Sequence, residues 1–369
     1  MTSDKHVKRN LAGWTVGLVA GWMLVGSASA QDHDNIPYLP TTPRTFSTIP
    51  VNGDVNPYGV AFVPKGFATG GLLAKGDILV SNFNNNQNLQ GTGSTILRMT
   101  ATGSTALFFQ GPPRGVGLST ALVVLRSGFV IVGNLPTADG TAATAQAGSL
   151  LLIDKNGHLV KQIVDPTFVR GPWDATLWDG GTHAKLFVSN VLSGTVVRFD
   201  LAISGNTIDV QSTTQIGSGY THRGDPAALE IGPTGLVYDA GKDVLYVAST
   251  GDNSVFALGN AGAGTRDQGT GRLIYQDPTH LHGPLGMAMA PNGHLLVANS
   301  DVINVDPNQP SEIVEFTVNG AFVKQLSVDP MLGGSFGLAV AKTGENLSQF
   351  AAVDDNTSTL TLWNIASED

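Results

Sequence analysis

Three histidines, His222, His280 and His282, fall in loops ahead of two successive strand runs, with Asp225 beside the first. Imidazole and carboxylate groups of this kind hold Zn²⁺, and a shell with one open position activates water for hydrolysis. No fixed motif surrounds the His-x-His pair, so solvated or structurally hydrogen-bonded histidine is the competing account. Arg114, Arg170 and Arg223 each stand directly before a glycine. Guanidinium groups so placed would clamp a planar oxyanion, and pairing with loop carboxylates explains them equally well. Tyr58, Trp173 and Phe336 would stack a planar or sugar ligand, or close the narrow end of a channel as core. Asn82, Asn134, Asn190, Asn299 and Asp355 end a recurring phrase. Their side chains would either hydrogen-bond a ligand or cap strand-to-loop turns, and recurrence favours capping. Gly-x-Ser-x-Gly is absent, and the glycine-rich residues 259–271 open no helix, so neither a nucleophile elbow nor a phosphate cradle is expected.

The elements that must carry these residues are short strands. Gly at 46 and Pro at 19 punctuate aromatic and β-branched runs, which is an all-β pattern. One phrase repeats: a hydrophobic strand ending in Val, a small residue, then Asn or a short polar substitute. It occurs as Leu79-Val80-Ser81-Asn82, Ile131-Val132-Gly133-Asn134, Phe187-Val188-Ser189-Asn190, Tyr246-Val247-Ala248-Ser249, Leu296-Val297-Ala298-Asn299 and Ala352-Val353-Asp354-Asp355. The phrase ends lie 52, 56, 59, 50 and 56 residues apart. Each phrase follows an earlier strand and precedes two more, and Asn156-Gly157 and Asn319-Gly320 mark hairpins between the last two. Four strands per unit and six units predict a six-bladed β-propeller. The blades are expected at about 57–110, 114–165, 171–217, 226–277, 283–329 and 334–364, the last completed by residues 45–50. Pairing that N-terminal strand with Leu360-Thr361-Leu362-Trp363 closes the ring. Loops into the inner strands and out of the second strands then share one face at the channel mouth. The chemistry-bearing residues above are expected there, together with the Asn84-Asn85-Asn86-Gln87-Asn88 loop.

Asn56-Pro57-Tyr58-Gly59-Val60-Ala61-Phe62 and Gly283-Pro284-Leu285-Gly286-Met287-Ala288, followed by Pro291-Asn292-Gly293-His294-Leu295-Leu296-Val297-Ala298-Asn299, resemble the repeats of NHL-type bacterial propellers. More loosely, they are similar to the gluconolactonase and senescence-marker-protein family. That resemblance implies one divalent metal in the channel, held by Glu, Asn and Asp just before the glycines of the inner strands. The corresponding positions here are Tyr58, Thr120, Asp174, Thr234, Leu285 and Phe336, of which only Asp174 could ligate.

Residues 1–30 read as a signal peptide: Lys5, Lys8 and Arg9 precede an apolar stretch over 11–26, then Ala28-Ser29-Ala30. Its removal takes three of 20 basic and one of 29 acidic residues, moving the net charge from −9 to about −11. An acidic chain makes a poor partner for nucleic acid or anionic lipid, and no membrane association is expected after cleavage. The absence of Cys excludes disulfides and thiol chemistry. The expectation is therefore a periplasmic or secreted monomer binding a small molecule or protein partner at the mouth. The alternative is a metal-dependent hydrolase, lactonase or lyase using the same face. N-terminal sequencing of exported protein should begin at Gln31, and an intact Met1 on exported material would contradict the leader reading.

Overall fold

The computed structural model describes residues 36–40, 43–100, 102–112, 115–309 and 312–366; the expected leader and Arg114 lie outside them. In chain order, β1 (Arg44–Ser47) precedes the first blade, β2 (Val55–Phe62), β3 (Ile78–Asn84), β4 (Thr95–Met99) and β5 (Thr105–Gln110). Blade two is β6 (Leu118–Val124), β7 (Phe129–Asn134), β8 (Ser149–Asp154) and β9 (Leu159–Ile163). Blade three is β10 (Pro172–Asp179), β11 (His183–Asn190), β12 (Thr195–Ser204) and β13 (Thr207–Gly217). A separate two-stranded hairpin, β14 (Arg223–Asp225) and β15 (Leu229–Ile231), precedes blade four. That blade is β16 (Pro233–Asp239), β17 (Val244–Ser249), β18 (Ser254–Gly259) and β19 (Arg272–Tyr275). Blade five is β20 (Pro284–Met289), β21 (Leu295–Asn299), β22 (Glu312–Phe316) and β23 (Phe322–Ser327). Blade six is β24 (Ser335–Lys342), β25 (Leu347–Asp354) and β26 (Thr359–Ala366), with β1 as its outer strand. The result is a six-bladed propeller of four-stranded antiparallel sheets.

Burial explains the strand composition. Second strands such as β3 and β7 are buried along their whole length, because each is covered by a blade on either side. They accordingly open on unbroken apolar runs, Ile-Leu-Val in β3 and Phe-Val-Ile-Val in β7, before the small and amide residues at their ends. Outer strands such as β9, Leu-Val-Lys-Gln-Ile, are exposed until their last residue and carry the charged side chains. Hydrophobic clusters fill the spaces between blades, for example Leu152, Ile131 and Ala121 against Leu186, Val188 and Phe199. The Asn156-Gly157 turn needs a positive φ at Gly157, at 79°. A Cβ there would meet the Phe108 carbonyl oxygen of the previous blade at 2.0 Å, so only glycine fits.

Closure is found where it was expected. Arg44, Thr45, Phe46 and Ser47 pair with Leu362, Thr361, Leu360 and Thr359. The preceding segment is anchored as well: the Tyr38 and Leu39 amides donate to the buried Glu315 carboxylate at 2.8 and 2.9 Å. His294 shares that carboxylate at 2.6 Å. Deleting residues 31–52 should strip both contacts and expose the β26 edge. Loss of a single cooperative melting transition, or aggregation, is expected; an unchanged transition would contradict ring closure by this segment.

Candidate functional site

The inner strands β2, β6, β10, β16, β20 and β24 line the axis, and each carries a bulge near its start. Pro57, Leu118, Pro172, Pro233, Pro284 and Ser335 pair with Asn82, Asn134, Asn190, Ser249, Asn299 and Asp354. The next residues therefore form one level: Tyr58, Ser119, Trp173, Thr234, Leu285 and Phe336. One step further come Gly59, Gly235, Gly286 and Gly337, and in blade three Asp174. This corrects the expected register. Asp174 stands at the glycine level and not beside Tyr58, and blade two carries an extra residue, so Ser119 replaces Thr120 at the upper level.

Tyr58, Trp173 and Phe336, with Phe83, make a closed aromatic layer across the channel. Tyr58 packs at 4.4 Å on Phe336, 4.5 Å on Phe83 and 5.5 Å edge-on to Trp173, between ring centroids. Trp173 is only 1 % exposed. The layer separates two compartments. Above it lies a mouth cavity of about 350 Å³; below it a channel of about 370 Å³ runs between the inner strands. Asp174 and Thr120 line the lower compartment, whereas Tyr58, Trp173, Leu285 and Phe336 floor the upper one.

The mouth walls come from loops and from the strand ends beside them. Asn56, Asn84, Asn88 and Gln90 stand on one side; Ala227, Ala228 and Glu230 of the β14–β15 hairpin on another; Asp301, Asp355 and Asn356 complete the ring. Gln90 Nε2 donates to the Ala227 carbonyl at 2.8 Å, joining the blade-one loop to the blade-four hairpin. Leu229 holds that hairpin with φ at 63°, a left-handed backbone that costs a non-glycine residue about 1–2 kcal/mol. It turns the chain so that its neighbour Glu230 lines the cavity.

Several polar atoms here find no protein partner: Asn56 Oδ1, Asn84 Oδ1, Gln90 Oε1, Asp355 Oδ1 and Trp173 Nε1. Four are acceptors and one is a donor. Two of the cavity's carboxyls, Glu230 and Asp355, hold their protons to unusually high pH. Burial pushes Glu230 up to about 7. Burial, then repulsion from Asp354 and Asp329, pushes Asp355 up to about 8. Among the described residues, no Lys, Arg or His lines the cavity.

The other expected site residues lie elsewhere. His282 is buried, facing the Asn304 carbonyl with Nδ1, and with Nε2 the Thr279 carbonyl at 3.2 Å and Glu312 at 3.4 Å. His280 binds Asp277 at 2.5 Å and stacks on Phe322. His222 faces the Tyr220 carbonyl at 3.0 Å, and Asp225 caps its own turn through the Ala227 and Ala228 amides. The expected convergence of the three histidines is thus not found; each ring is committed to a separate local partner. Among the described residues, no group of three or more His, Asp or Glu could hold a metal ion. Arg170 and Arg223 are exposed and do not line the cavity, so they form no clamp there. Asn134, Asn190 and Asn299 accept from the amides of Gly117, Arg170 and His282 in the loops leading into their own blades. Asn82 donates to the Thr48 carbonyl. These amides fasten loops.

Sequence reasoning passed over Asn56, Gln90 and Glu230. The Asn-rich loop pointed to the first wall, but Glu230 sits in a hairpin whose three-residue strands leave no periodic trace.

No protein-family model matches the sequence, and no curated protein matches it. Solved structures of similar shape are numerous. A catalytically inactive virginiamycin B lyase from Staphylococcus aureus with quinupristin is 13 % identical, with 88 % of this chain and 100 % of that one covered, at a TM-score of 0.51. A gluconolactonase from Xanthomonas campestris is 11 % identical, covering 88 % and 90 %, at 0.53. A putative glucose dehydrogenase from Thermus thermophilus is 12 % identical, covering 87 % and 100 %, at 0.51. At such identities the likeness establishes the six-bladed propeller fold.

Asp174, Glu230, Glu312 and Asp355 all bind protons more tightly folded than unfolded, reaching about 7, 7, 7 and 8 from 3.8–4.5. Folding is therefore favoured at low pH and loses stability as pH climbs from about 4 through 8. The melting temperature should be higher at pH 5 than at pH 8.5, and Asp355→Asn should flatten the slope. Equal or greater stability at pH 8.5 would contradict these burial effects.

Proposed function

We propose that the protein binds a small ring-shaped molecule rich in hydroxyl donors, laid flat on the aromatic floor of the mouth cavity. One observation carries this reading: unpartnered acceptor oxygens of Asn56, Asn84, Gln90 and Asp355 stand around an apolar floor. Unmet buried acceptors are costly, about 1–3 kcal/mol each, and hydroxyl donors from a ligand would relieve that cost. The ring faces of a sugar-like molecule match Tyr58 and Phe336 below. The volume falls within the range of small-ligand sites, about 300–1,000 Å³. With three carboxyls and, among the described residues, no cationic side chain in the walls, the cavity suits neutral or cationic occupants better than anions.

A second reading is an enzyme of the hydrolase or lyase type. It rests on Glu230 and Asp355, two carboxyls in one cavity that hold protons near neutrality, as general acids do. Lactonases and lyases among the solved propellers agree with it. In either case the N-terminal pattern supports work in the periplasm or outside the cell.

A thermal-shift panel of monosaccharides, sugar alcohols and cyclitols tests the binding reading. At least one member should raise the melting temperature in a saturable way. Asn84→Ala should weaken that binding at least tenfold, about 1.4 kcal/mol. Asn56→Gly should do the same, since glycine keeps the backbone at φ 60° while removing the amide. Binding that survives both substitutions, or a panel without a single binder, would sink the proposal.

A further inference from the structure

We infer that the lower compartment is a second, separate binding site, for a slender alkyl ammonium whose charged head meets Asp174 and Thr120 and whose tail runs along the inner strands.

The position of Asp174 is the first ground. Four other blades carry glycine at that level, and three of those glycines are enforced. A Cβ at Gly235, Gly286 or Gly337 would lie 2.3, 2.1 or 2.0 Å from the carbonyl oxygen of the next blade's inner strand. Blade three has room because Ser189 bridges the gap: it accepts from the Asp174 amide at 3.0 Å and donates to the Thr234 carbonyl at 2.7 Å. At Gly59, where Ser81 bridges in the same way, a Cβ would lie 2.9 Å from the nearest backbone atom. The carboxyl of Asp174 is thus fixed on the axis. Oδ1 accepts from the Ala175 amide at 2.8 Å, and Oδ2 from the Leu236 amide at 2.9 Å. Each oxygen keeps a lone pair for an occupant.

Thr120 is the second, independent ground. It lines the same compartment from blade two, is 6 % exposed, and its Oγ1 has no partner. The extra residue in the blade-two bulge puts it there. Below these two groups the walls are apolar, with Leu122, Leu177, Leu236, Met287 and Leu338 around the axis. The aromatic layer seals the upper end. Phe62, Leu177, Met289 and Val340, half-buried, line the lower part.

Charge decides the class of occupant. An ionised carboxylate in an apolar channel needs a counter-charge, and among the described residues no Lys, Arg or His lines this one. No other titratable side chain from any of the six inner strands lines it either. Burial accordingly raises Asp174 to about 7, with no charged neighbour contributing. An ammonium head supplies both the charge and the donors, in the short charge-assisted hydrogen bonds that carboxylates favour. A tail of several carbons fills the remainder.

Calorimetric titration of the whole protein with the propyl-, butyl-, pentyl- and hexylammonium series tests this. Saturable one-to-one binding is expected at pH 8, strengthening about threefold to fourfold per methylene. It should weaken at pH 5.5, where Asp174 is protonated. Asp174→Asn should reduce hexylammonium affinity at least tenfold, and hexanol should bind more weakly than hexylammonium. Asp174→Gly, the residue of four other blades, serves as the second variant: it should melt no lower than the parent and lose the binding. Asn84→Ala, in the mouth, should leave it unchanged. Absent saturable binding, or affinity equal to the parent's in Asp174→Asn and Asp174→Gly, overturns the inference. So does loss of binding in Asn84→Ala alone, which would place the ammonium in the mouth.

Discussion

The close approach of six inner strands around one axis governs the rest of this molecule. Where two strands nearly touch, only glycine fits, as at Gly286 and Gly337. Where they stand slightly apart, hydroxyls stitch them. Ser81 donates to the Ser119 carbonyl, Ser119 to that of Pro172, Ser189 to that of Thr234, and Thr234 to that of Pro284. These bonds cross the four boundaries from blade one to blade five, and the close approaches at Gly286 and Gly337 carry the contacts on through blade six to blade one, between units that share no sheet hydrogen bonds. These four buried hydroxyls are satisfied by carbonyls of the next blade, while Thr120 Oγ1 is left without a partner.

That geometry produces the site. The bulge at the start of each inner strand sends one side chain across the channel, and three of the six are aromatic. Tyr58, Trp173 and Phe336 meet with Phe83 and seal the axis. Sealing turns a through-channel into two blind compartments of unlike chemistry. The upper is walled by amides and carboxyls from loops and strand ends. The lower is walled by strand side chains and holds one carboxyl. Sixfold repetition gives the frame, and departures from it, Asp174 for glycine and the β14–β15 hairpin, give each compartment its character.

The fold was legible because its signal repeats. The Val-small-Asn phrase marks buried second strands six times, and pairing of the ends follows once the last unit is one strand short. The recurring asparagines were also legible as loop fasteners, since Asn134, Asn190 and Asn299 bond their own blades in the same manner. The site was less so. Trp173-Asp174 interrupts the Pro-x-Gly pattern, which sets Asp174 one level too high on sequence alone, and nothing in the sequence marks which residue the bulge absorbs. His222, His280 and His282 share a face without sharing a centre: loop order fixes the blade, while the direction of a ring depends on partners such as Asp277 and Asn304. Glu230 owes its position to a left-handed Leu229, a conformation no local propensity announces.

The sealed aromatic layer is the claim on which both compartments rest, and fluorescence reads it directly. With Trp178 and Trp363 replaced by phenylalanine in protein beginning at Gln31, Trp173 is the sole indole. Its quenching by acrylamide should be far slower than that of an exposed indole, and Phe336→Ala should accelerate it severalfold while the fold persists. Quenching of the parent at the rate of a solvent-exposed tryptophan would show an open channel and contradict the account.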